Sequence, residues 1–152
     1  MQIHTLEELQ GLVVIDRNHL DEELIKQSQL FWEAGEGFAQ AVSKQDQAKQ
    51  VLEQVAATTA SSYRSNSIEK ITEAKITEHV DSHPDYIQQY RLYLTYKGEA
   101  DRWMAIKNAY AHRNEMLRSL VSLVNIGYWN SSSVSDEQIQ SYKNSYRNKG
   151  NQ

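Results

Sequence analysis

Residues 67–127 read SIEKITEAKITEHVDSHPDYIQQYRLYLTYKGEADRWMAIKNAYAHRNEMLRSLVSLVNIG, and they decide the fold. A short amphipathic segment stops at Pro84, the only proline in the chain, and a much longer helical pattern starts there. Proline suits the first turn of a helix, and Asp85 favours its positive end. The long pattern carries a narrow apolar seam, Trp103, Ile106, Tyr110, Arg113, Leu117, Leu120 and Val124, and Gly127 is the expected stop. Its first half is studded with Tyr86, Tyr90, Tyr93 and Tyr96. Tyr86, Tyr90, Tyr93 and Lys97 make one stripe there and Tyr96 another, and such rings ordinarily pack between helices. A narrow seam on a long helix is a surface for other helices rather than a cradle for a substrate.

Upstream, the spacing predicts one long helix from about Leu20 to Arg64. Phe31, Phe38, Gln45, Leu52 and Thr59 recur every seven residues, and Ala34, Ala41, Ala48 and Val55 follow the first four by three. That is a heptad seam of large residues against alanines, with Gln45 as a polar register marker. About 45 residues at ~1.5 Å rise make a rod near 70 Å. Gly35 and Gly37 each weaken it by roughly 1 kcal/mol relative to alanine, which admits a bend. At the N-terminus, Thr5-Leu6-Glu7-Glu8 reads as a capping box for a short helix ending near Gly11. Leu12–Asp16 is an apolar linker expected to pack on the main body. Asn66, with Glu69 three residues on, predicts a helix over about Ile68–Val80. Residues 130–152 are rich in serine, asparagine and lysine and are expected to be a disordered polar tail. The fold class expected is all-α: a long-helix hairpin or bundle with coiled-coil-like seams, one helical domain over 1–129, assembling as a homo-oligomer.

Composition narrows the function. The hydrophobic fraction is 39%, below the ~45–50% of compact monomers, so part of the apolar surface is expected to meet other chains. There is no cysteine, hence no disulfide or thiolate chemistry. No apolar run approaches ~18–20 residues, and the N-terminus lacks the pattern of a signal peptide, so a cytoplasmic protein without a membrane partner is expected. The net charge of −4 is uneven: residues 1–66 hold five Lys/Arg against ten Asp/Glu, while residues 67–129 hold eight of each. An acidic total argues against a surface that grips nucleic acid everywhere, but not against a local basic groove.

Catalytic constellations do not emerge. His79 and His83 stand four apart, yet Pro84 ends the helix there and no HExxH glutamate accompanies them. No Gly-rich phosphate loop or nucleophile elbow occurs. No enzyme, metal or cofactor is expected. Basic and aromatic residues do gather around one turn: Tyr63, Arg64, Lys70 and Lys75. Ammonium and guanidinium groups meet phosphates while rings stack on bases, the chemistry of single-strand binding. The tail interleaves Lys143, Arg147 and Lys149 with Tyr142 and Tyr146 in the same manner.

Several of these features occur together in a known family. Lys70–Glu73, then Val80, Asp81, Pro84, Asp85 and Tyr86, then Ala109, Arg113, Met116, Leu117 and Leu120 closing the long helix, resemble the UvsY-type phage recombination mediators. Ile15, Asp16, Leu20, Glu22 and Glu23 extend the resemblance to about residues 15–127. It implies a helical, ring-like homo-oligomer that binds single-stranded DNA and a RecA-like recombinase, and that helps load the recombinase in place of the single-strand binding protein. For a phage protein the place is the host cytoplasm. The interface between copies is expected at Phe31, Phe38, Trp103, Tyr110, Leu117, Leu120 and Val124, and DNA at Tyr63, Arg64, Lys70 and Lys75. The chain departs from the pattern at Ala56–Ser62, where relatives carry lysine and arginine. That departure suits the alternative, a helical scaffold or assembly chaperone of a phage that does not bind nucleic acid.

Overall fold

The computed structural model describes residues 4–67 and 71–128. The chain is all-α, with no strand among the described residues: α1 (Leu6–Gly11), α2 (Leu20–Ser65), α3 (Glu73–Ser82) and α4 (Pro84–Asn125). None of these helices is long and apolar enough to cross a membrane. Two compact units form, one from Met1–Trp32 with Asn108–Gln152 and the other from Glu33–Lys107. The helices α2 and α4 each contribute to both.

Unit 1 is built on a buried polar lock. Thr5 and Glu8 form the expected capping box at the start of α1, and Leu9 of that helix is fully buried. The Tyr110 hydroxyl of α4 donates to the Leu9 carbonyl at 2.8 Å. Arg113, one turn further, donates to the Val13 carbonyl, to Gln27 and to the Glu23 carboxylate. Gln27 in turn donates to the Tyr110 carbonyl at 2.8 Å. These bonds hold the first turns of α2 antiparallel to the second half of α4 and tie the N-terminal segment to α4. No buried side-chain nitrogen or oxygen among the described residues lacks a partner. The linker is only partly packed: Val13 and Ile15 are half-buried, while Leu12 and Val14 are exposed. The α4 helix ends as expected, with Gly127 in the left-handed region at φ 68°.

Unit 2 uses small residues. Ala34, Ala41, Ala48 and Leu52 of α2 are buried, and so are Ala100 and Ile106 of α4. The helix α2 runs unbroken through Gly35 and Gly37. At Gly37 the two chain segments come close: a Cβ there would lie 2.2 Å from the Trp103 ring. The Lys107 ammonium sits 5.0 Å over the Phe38 ring, and Lys44 pairs with Glu99 at 3.2 Å on the exposed edge.

Two sequence expectations are corrected. Tyr110 and Leu117, assigned to an interface between chains, are 0% exposed within this one. The physical reason is that the Tyr110 hydroxyl is used on the Leu9 carbonyl of α1 while Arg113 lies over its ring, and Leu117 lies two turns further along the same seam. Phe38, Trp103 and Leu120 are half-buried; Phe31 and Val124 are exposed. The helix expected from Ile68 begins at Glu73, with Thr72 extended before it as an N-cap that makes no side-chain bond. Asn66 and Ser67 complete α2 instead: the Asn66 amide donates to the Ser62 carbonyl and the Ser67 hydroxyl to the Tyr63 carbonyl. These bonds satisfy carbonyls that the end of a helix leaves open. Ile68 itself and the expected polar tail at 130–152 lie outside the described residues.

Candidate nucleic-acid interface

The end of α2 and the short α3 place the aromatic and basic residues of unit 2. Ile76 and Val80 bury one face of α3, which aligns the others. His79 stacks flat on Tyr63, ring centroids 4.1 Å apart and 14° between planes. Arg64 Nη2 donates to both carboxylate oxygens of Glu73 at 3.2 and 3.0 Å. Lys75 is exposed, four residues before His79, and therefore on the same side of α3. It makes no ion pair among the described residues. Tyr63 and Arg64 are thus each met by a residue of α3, and Lys75 stands exposed on the His79 side of that helix; Lys70 lies outside the described residues.

Two partners in this cluster carry no signal in the sequence. Glu73 occupies Arg64, and His79 covers one face of Tyr63. Both contacts cross the turn between α2 and α3, so no helical spacing announces them. The pair Arg64–Glu73 is open to water, its side chains 53% and 81% exposed, so it contributes on the order of 0–1 kcal/mol and is readily exchanged. His83 serves α4: its Nδ1 accepts the Asp85 backbone N–H at 3.3 Å, beside Pro84 in the first turn. Its ring stands edge-on to His79 with centroids 6.1 Å apart.

The far side of α3 is a shallow open face lined by Ala74, Thr77, Glu78, Asp81 and Ser82. It repels phosphate through Glu78 and Asp81. Along α4, Tyr86, Tyr90 and Tyr93 form a ladder with centroids 6.2 and 6.4 Å apart. Tyr86 and Tyr93 are half-buried with Tyr96, and only Tyr90 turns an exposed ring outward. The inner stripe is therefore Tyr86, Tyr93 and Tyr96, in phase with buried Ala100.

Compared with protein-family models, with curated proteins and with solved structures, the chain gives no match.

Proposed function

We propose that this protein is a non-enzymatic recombination mediator. It holds single-stranded DNA as a homo-oligomer and helps a RecA-like recombinase replace the single-strand binding protein. What supports this reading is that Tyr63 and Arg64 at the end of α2 meet His79 and Glu73 of α3, with exposed Lys75 on the same face of α3 as His79. A phosphate displaces the Glu73 carboxylate from Arg64, and Lys75 supplies a second cation. One protomer makes too few contacts to bind alone; several copies engaging one strand multiply them by avidity.

Anisotropy of labelled oligo-dT across a salt series tests the proposal. Removing Arg64 and Lys75 together lowers the salt slope by about 0.7 per lost contact. Glu73→Gln releases Arg64 and tightens binding about two- to fivefold, the equivalent of a surface ion pair. Absence of binding by the assembled protein at low salt overturns the reading.

A second reading, a helical scaffold indifferent to nucleic acid, is favoured by one feature of the same region. Among the described residues from 64 to 85, four carboxylates, Glu73, Glu78, Asp81 and Asp85, outnumber two cations, Arg64 and Lys75. An oligomer whose mass is unchanged by oligo-dT, with no anisotropy change at any salt, selects it.

A further inference from the structure

The α4 helix of unit 2 has a second seam on its outer side. Ile87, Tyr90, Leu94, Lys97, Asp101 and Met104 are separated alternately by three and four residues, the period of a coiled-coil edge. All six are exposed; the apolar four are 37, 44, 45 and 43% exposed in that order. The inner side of the same helix carries half-buried Tyr93 and Tyr96, buried Ala100, and Glu99 paired with Lys44. So the outer seam is not the one that packs on α2.

Its charges are self-complementary in one orientation only. Take two copies of this segment running antiparallel with residue 99 at the two-fold axis. Leu94 then faces Met104 of the second copy, and Lys97 faces Asp101, each layer occurring twice. A parallel, in-register pair places Lys97 on Lys97 and Asp101 on Asp101, which repel. Neither Lys97 nor Asp101 makes an ion pair within the chain among the described residues. Gly98 lies beside the axis, and a Cβ there would meet nothing within 4 Å, so a second helix can approach closely. At each end of the strip Tyr90 and Ile87 then come opposite Asn108 and Ala111 of the second copy.

We infer that the outer face of α4, centred on residue 99, is a two-fold interface with a second copy of this chain, its antiparallel direction chosen by Lys97 and Asp101. A two-fold contact uses one patch twice, and the layers above satisfy that condition. The ion pairs fix direction more than strength, while Leu94 and Met104 provide the apolar contact. The inference rests on the self-association that the mediator reading also requires, and not on DNA.

Disulfide trapping in the full chain tests it, because the chain has no cysteine of its own. Leu94→Cys/Met104→Cys should cross-link to a dimer under mild oxidation. Within one helix these positions are roughly 15 Å apart, too far to bridge. Either single variant should stay uncross-linked, since like positions are equally far apart across the axis; mixing the two singles should restore the dimer. In sedimentation equilibrium, Lys97→Asp should weaken self-association at least about tenfold, and Lys97→Asp/Asp101→Lys should return it. The inference fails if the double cysteine variant does not cross-link, if the singles cross-link as readily, or if Lys97→Asp leaves the mass distribution unchanged. None of these readouts involves oligonucleotide, so loss of DNA binding and loss of this interface are separately visible.

Discussion

The two units solve one problem, fixing the register of two long helices, by different physics. Unit 1 uses direction: Arg113, Gln27, Glu23 and Tyr110 exchange hydrogen bonds that exist at one register and nowhere else. Unit 2 uses size: alanines at 34, 41 and 48, and Gly37 against Trp103. A network of buried hydrogen bonds tolerates no slip, because a displaced partner leaves a dry polar group behind. A row of alanines tolerates slip by whole heptads and sets distance rather than position. The polar lock therefore gives unit 1 its specificity, and one large residue meeting one absent side chain does the equivalent in unit 2.

Breaking the lock should have the largest effect. Arg113 is nearly fully buried, and Arg113→Met strands Glu23, Gln27 and the Val13 carbonyl without their donor. Removing one partner of a buried pair costs ~3–5 kcal/mol, so the urea midpoint should fall steeply. Lys44→Met, which removes the exposed pair of unit 2, should cost under about 1 kcal/mol in the same assay. Equal losses at the two sites would remove the distinction. Next comes Gly37→Ala. Alanine gains about 1 kcal/mol of helix propensity, but its Cβ would lie 2.2 Å from the Trp103 ring. Overpacking of that kind costs ~1–3 kcal/mol, so a net loss is expected, and Trp103→Leu in the same chain should relieve it. Gly35→Ala two residues earlier meets nothing within 4 Å and should raise the melting temperature.

Much of this architecture was legible in the sequence where the signal is local. The bounds of α2, the start of α4 at Pro84, the stop at Gly127 and the capping box at Thr5 all depend on residues within four positions of one another. The start of α3 was misplaced because two elements compete for Asn66 and Ser67, and the end of α2 wins. Counted forward from Tyr86 by fours and threes, the stripe runs through Tyr90, Tyr93 and Lys97 and leaves out Tyr96. Traced back from buried Ala100 by fours and threes, it joins Tyr93 and Tyr86. The lock of unit 1 was invisible for a different reason. Arg113 reaches partners 86 to 100 residues away in the chain, and a single arginine in an apolar seam does not say which carboxylate it will meet. The Arg64–Glu73 and Tyr63–His79 contacts are separated by fewer residues, yet they too depend on a turn whose path no periodicity encodes.

A gentler cut sharpens the role of the lock. Tyr110→Phe keeps the ring in place and removes only the donor to the Leu9 carbonyl. A hydrogen bond of this type contributes about 1 kcal/mol net. The loss should appear as faster amide exchange in α1, with unit 2 unaffected.

The smallest expected effect is a pH dependence confined to the same N-terminal segment. The Glu8 carboxyl is held below its ordinary 4.5, first by the backbone N–H of Thr5 that it accepts and then by the Thr5 side chain. Asp16 is likewise lowered below 3.8 by the Asn18 backbone N–H, with His19 adding to it. Both groups bind their proton more weakly in the folded chain than in the unfolded one. Their contribution is therefore complete above the unfolded values and disappears as pH falls through the lowered folded ones. Both carboxylates are exposed, so acid should loosen α1 and the entry to α2 locally while the lock persists. Amide exchange of residues 5–12 followed from pH 6 to pH 3 checks this. Glu8→Gln should remove most of the pH dependence in α1, because the amide oxygen still accepts from Thr5 but no longer titrates. If α1 loosens equally in wild type and Glu8→Gln, the proton acts elsewhere, and the capping box is not what holds the first helix against the lock.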